Sequence, residues 1–81
     1  MNKKIYINDK VLKNIEKKGL LKQYEKVEKY LKQWNYKQIS LKIREPKKDK
    51  IYYFRINKQF RLWCKIENNN IFIFHLDNHQ N

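Results

Sequence analysis

The chain has 81 residues, with 20 Lys and Arg against 8 Asp and Glu and a formal net charge of +12; this allows one small domain over residues 1–81 and excludes a second. Such an excess favours polyanions over small acidic substrates, although the abundance of Lys, Asn and Ile and the lack of Ala and Thr also fit the codon bias of an AT-rich genome. One cysteine, Cys64, excludes an internal disulfide and, with only two histidines, leaves too few ligands for structural zinc, so no metal or cofactor is expected.

The longest apolar run, Ile71-Phe72-Ile73-Phe74, is far below the roughly 20 residues of a membrane span. The N-terminus has no apolar signal core, so a cytoplasmic protein without a membrane partner is expected. The β-branched and aromatic content of residues 3–8 predicts a short first strand, after which Asn8 or Asp9 caps a helix. Val11, Leu12 and Ile15 fit a helix that stops near Gly19, where a left-handed C-cap is easily accommodated. Leu20, Leu21, Tyr24, Val27, Leu31 and Trp34 then form the stripe of a second helix.

Beyond Trp34 the period changes to two. Ile39, Leu41 and Ile43 read as a strand ended by Pro46, and residues 45–50 form a polar, basic connection. Residues 51–56, 60–66 and 71–76 are three further strand-like runs whose short linkers require antiparallel neighbours. The expected fold class is α+β, with two N-terminal helices packed on a small twisted antiparallel sheet in the order β-α-α-β-β-β-β.

A three-residue hairpin loop at Asn57-Lys58-Gln59 sets Ile56 opposite Phe60 and Arg55 opposite Arg61. Tyr52, Phe54, Ile56, Phe60, Leu62, Cys64 and Ile66 then face the helices, whereas Tyr53, Arg55, Arg61, Trp63 and Lys65 face away. Cys64 has no partner for thiolate activation and is assigned to packing. Two opposed arginines repel, and an anion is the simplest compensation. Forked guanidinium donors suit phosphate and the flanking rings suit stacked bases; an ordinary ion-pair network with Asp77 or Glu67 is the alternative. Candidate RNA contacts are Tyr53 and Trp63 on this face, Lys58 in the loop, and Lys47, Lys48 and Lys50 in the basic connection.

His75, Asp77 and His79 are spaced by two and share one face. Placing Phe72, Phe74 and Leu76 in the core puts them beside the arginines, which needs an odd loop or a bulge at residues 68–70; an even loop buries His75 instead.

The run from Tyr53 to Leu62 (YFRINKQFRL), followed by residues 73–79 (IFHLDNH), resembles the RelE/ParE superfamily of bacterial type II toxins, most closely its HigB branch. That branch carries an Arg-Ile-Asn-x-Gln-aromatic-Arg segment, an upstream Leu-Lys pair matched by Leu41-Lys42, and a closing Asp-Tyr-His element. Asn78 stands where the tyrosine is expected, and the histidine common before the Leu-Lys pair has no counterpart. The resemblance implies a toxin neutralised by a cognate antitoxin, an mRNA endoribonuclease (mRNA interferase) acting at the ribosome without metal.

By the same resemblance Arg55, Arg61, Asp77 and His79 match the family's functional residues, and with Lys42 of the matching Leu-Lys pair and His75, which shares the face of Asp77 and His79, they make the expected catalytic set. Arg55 and Arg61 stabilise the phosphorane with support from Lys42. His79 transfers the proton, oriented by Asp77, which is the alternative base, and His75 and Tyr53 are reserves. Two other readings stay open: a ParE-like inhibitor of DNA gyrase, and a basic RNA-binding module that cuts nothing.

Overall fold

The computed structural model describes residues 4–33 and 40–78. In chain order these form β1 (Lys4–Ile7), α1 (Asp9–Lys17), α2 (Leu21–Lys32), β2 (Lys42–Ile43), β3 (Ile51–Arg55), β4 (Phe60–Glu67) and β5 (Asn70–Asn78), with a 3-10 turn at Lys47–Asp49. The protein is α+β, and the five strands among the described residues lie in the order β1-β5-β4-β3-β2. Among the described residues no helix is long and apolar enough to cross a membrane.

Local chemistry sets the helix ends. Asn8 is extended, and its side chain accepts the Lys10 amide N–H at 2.8 Å, which caps α1. Gly19 takes φ +71° just beyond the helix, a conformation that an L side chain rarely adopts. The buried stripe of α2 is Tyr24, Val27 and Leu31, extended by Leu20 at the cap. Leu21 was expected on that stripe but is 37% exposed, because it lies a sixth of a turn or more off the line through Leu20, Tyr24 and Val27. Trp34 and Ile39 fall outside the described residues, and the strand expected from Ile39 is described only as Lys42–Ile43.

From β2 to β5 the chain is an antiparallel meander. β1, however, pairs parallel with β5, Lys4 opposite Asn70 through Ile7 opposite Ile73. The sheet is therefore mixed, which corrects the expected antiparallel sheet. β5 has β4 on one edge, and the first strand covers its other edge; the chain between these two parallel neighbours runs through both helices and through β2 to β4.

The side of β3 and β4 facing the helices is the apolar one expected: Phe54, Leu62 and Cys64 are fully buried with Ile15 and Leu31. The phase of β5 differs from expectation. Glu67 pairs with Asn70, so the loop is the even one, Asn68-Asn69, with Asn68 at φ 55°, which asparagine tolerates. This puts Ile71 and Ile73 in the core and leaves Phe72 and Phe74 39% and 46% exposed.

A bulge then changes the phase: Cys64 pairs with Ile73 but Trp63 pairs with His75, so Phe74 is the extra residue. Beyond it Leu76 is buried opposite Leu62. His75 and Asp77 emerge on the arginine side, as expected, but through a bulge inside the strand rather than at residues 68–70.

Candidate nucleic-acid interface

The sheet face turned away from the helices carries the candidate residues in cross-strand rows. One row is Arg55, Arg61 and Asp77 on β3, β4 and β5. The next is Lys42, Tyr53, Trp63 and His75, running from β2 to β5. A third is Ile51, Lys65, Phe72 and Tyr6; Arg44 joins it, its amide donating to the Ile51 carbonyl at 2.7 Å. Of the expected catalytic set, Arg55, Arg61, Lys42, His75 and Asp77 thus share one surface, and His79 lies outside the described residues.

The hairpin that aligns the two arginines is built as the sequence implies. The Ile56 amide donates to the Phe60 carbonyl at 3.0 Å. The Asn57 side-chain oxygen accepts the amides of Gln59 and Phe60, both at 2.8 Å, a local closure of the kind asparagine makes in turns. Arg55 therefore stands directly opposite Arg61, and Lys58 is exposed in the loop beside them.

Arg61 is the organising side chain. It donates to an Asp77 carboxylate oxygen at 3.0 Å, with 20% of the Arg61 side chain and 32% of the Asp77 side chain exposed. Its guanidinium carbon lies 5.0 Å from the Tyr53 ring centre and 5.6 Å from that of Trp63. Those two rings tilt against each other at 4.9 Å and 37°. Stacking of this kind favours a planar guanidinium over an ammonium. Arg61 Nε is buried without a hydrogen-bond partner.

The Arg61 hydrogen bond is the main reason the Asp77 carboxyl sits below its ordinary value, and Trp63 and His75 act in the same direction. A carboxylate stabilised in this way is a poor proton acceptor near neutrality.

Sequence reasoning missed Arg44, whose guanidinium carbon lies 5.9 Å from the Trp63 ring centre. The signal was present: Arg44 follows Lys42 by two, which puts both on one face of a strand. Of the acids on this face, Asp77 pairs with Arg61 and Glu67 pairs with Lys65 at 3.3 Å. Lys42, Arg44 and Arg55 make no ion pair among the described residues, so the face carries net positive charge.

The basic connection is elsewhere. Lys48 and Lys50 line a shallow depression of about 430 Å³ with Asp49, Ile51, Lys65 and Glu67, beside the start of β3 rather than the Arg55 end, and Lys47 is exposed in the same turn. Cys64 is fully buried, and burial pushes its thiol up to about 12, consistent with packing. No group of three or more His, Cys, Asp or Glu side chains among the described residues is arranged to hold a metal ion.

No family model matches the chain. It is 49% identical over 39 residues to an uncharacterized protein of Haemophilus influenzae. That match takes in 48% of this chain and 39% of the relative's length.

Proposed function

We propose that the protein is a type II toxin of the RelE/ParE superfamily, HigB-like, which cleaves mRNA at the ribosome and is neutralised by a cognate antitoxin. The observation that carries this reading is the placement of Arg55 directly opposite Arg61, with Arg61 held among Tyr53, Trp63 and Asp77. Like charges directly opposed in a sheet are destabilising. A phosphate seated between them removes that penalty and receives forked donors.

Cleavage through the 2′-hydroxyl needs that group deprotonated, the phosphorane charge stabilised and the 5′-oxygen protonated. Arg55 and Arg61 supply the charge stabilisation, with Lys42 behind them in the next row. Asp77 serves as the positioning residue for Arg61 instead of as the base, since its carboxyl is held low by that contact. Proton transfer then falls to histidine: His75, which stands opposite Trp63, and His79, whose role rests on the resemblance. Sparse acid/base equipment suffices where the ribosome holds mRNA in line for attack, because positioning alone supplies several kcal/mol of the barrier.

Controlled expression in bacteria tests this reading. Growth arrest with mRNA cut inside translated codons, both relieved by Arg61→Ala, is the expected result. Arrest with intact mRNA and blocked DNA supercoiling supports the gyrase alternative. Arrest with intact mRNA and stalled ribosomes supports a module that binds without cutting.

A further inference from the structure

The third row of the outer face ends in an aromatic pair that the catalytic reading does not use. Tyr6 on β1 and Phe72 on β5 are register partners, their ring centres are 5.2 Å apart and their planes differ by 13°. They are nevertheless 49% and 39% exposed. Large apolar side chains exposed together mark a contact surface more often than scattered ones do. This pair adjoins cations: Lys65, which also pairs with Glu67 at 3.3 Å, is the cross-strand partner of Phe72, and Lys4 lies two residues before Tyr6 on the same face of β1.

A second aromatic pair, Tyr53 and Trp63, lies on the next two strands, half-buried, tilted at 37° and with the Arg61 guanidinium beside both rings. Phe72 lies diagonally from Trp63, one strand across and two residues along, a separation of about 8 Å by ordinary sheet spacings. Two aromatic platforms on one positively charged sheet face, with a lysine beside the gap, match what a single-stranded nucleic acid needs: ring faces for its bases and cations for its phosphates. A protein partner would need apolar surface and charge but not two ring pairs set beside cations.

We infer that Tyr6 and Phe72 form a second base-stacking subsite, which receives a nucleotide of the single-stranded RNA whose neighbouring bases lie over Tyr53 and Trp63. The inference rests on the RNA reading above and extends the footprint from the arginine pair toward the β1 edge.

The test is fluorescence anisotropy with fluorescein-labelled oligouridylates of graded length at low salt. Phe72→Ala is expected to weaken binding about tenfold for the longer oligomers and to leave the shortest, which occupy the Trp63 platform alone, unchanged. Phe72→Leu, which keeps apolar bulk without a π-face, should lose as much, and Phe72→Trp should keep the affinity of the parent. Phe72 is exposed, so these variants should fold, and circular dichroism melts check that they do.

Full affinity in Phe72→Leu overturns the inference. So does a Phe72→Ala variant that binds RNA of every length normally but no longer self-associates in sedimentation, which assigns the patch to a second copy of the chain. If Trp63→Ala loses binding while Phe72→Ala keeps it, only the second subsite fails. If the parent protein binds none of the oligomers, the RNA reading fails with it.

Discussion

Arg61 donates to Asp77 at 3.0 Å across the β4–β5 ladder, and the two residues are direct register partners. On its other side Arg61 faces Arg55 across the β3–β4 ladder. The central arginine is thus ion-paired toward one strand and faces a like charge on the other. Arg55 makes no ion pair among the described residues, so the row of Arg55, Arg61 and Asp77 carries one uncompensated positive charge at the hairpin end of the sheet.

Removing the repulsion should stabilise the protein. Arg55→Thr is expected to raise unfolding free energy by about 0.2–1 kcal/mol, the usual range for cross-strand pairs, in urea melts at low salt. The gain should shrink as salt is added, and growth arrest should be lost at the same time. A variant that is both less stable and fully toxic would contradict the role given to the arginine pair.

The Arg61–Asp77 pair gives a pH signature. The Asp77 carboxyl is lower in the fold than in the unfolded chain, where it lies at about 3.9. The contribution is therefore fully present above that value and is lost as pH falls through the folded value. Asp77→Asn should cost about 0.2–1 kcal/mol at pH 7, as part-exposed pairs do, and the difference from the parent should vanish in strong acid. A deficit that persists unchanged at the lowest pH would point to packing instead of charge.

Phe74 is the residue that the bulge inserts. Its removal joins Ile73, opposite Cys64, directly to His75, opposite Trp63, and leaves an uninterrupted ladder. Deleting Phe74 is expected to preserve folding, the burial of Cys64 and the Arg61–Asp77 partnership. Deleting Ile73 leaves the same strand length but sets Phe74 in the place of Ile73, which is 2% exposed, so it should cost about 1–3 kcal/mol through overpacking of the core. The checks are a thermal melt and the reactivity of Cys64 toward a thiol reagent. A Phe74 deletion that unfolds or exposes the thiol would contradict the assigned register.

Much of this was legible from two periods. The helical period picked out Val11, Ile15, Tyr24, Val27 and Leu31, all buried, and the strand period sorted β3 and β4 into a core face and an arginine face. The hairpin length then fixed Arg55 against Arg61. What failed to show has a physical cause in each case. A strand does not encode the direction of its neighbour, so the parallel pairing of β1 was invisible.

The Ile-Phe-Ile-Phe run is apolar on both faces, so bulk alone could not tell that the isoleucines turn inward. The bulge that brings His75 and Asp77 to the site depends on pairing with β4, a tertiary fact. Arg44 is different: its spacing from Lys42 would have placed it on the face, and only its distance from the arginine motif hid it.

The most direct test of the central claim is mapping of mRNA 5′ ends in a reconstituted translation reaction, with the protein, without it, and with Arg61→Ala. New ends at ribosome-occupied codons, absent with Arg61→Ala and absent from the same RNA free of ribosomes, are the expected result. Unchanged 5′ ends in the presence of active translation, or equal cutting by Arg61→Ala, would contradict it.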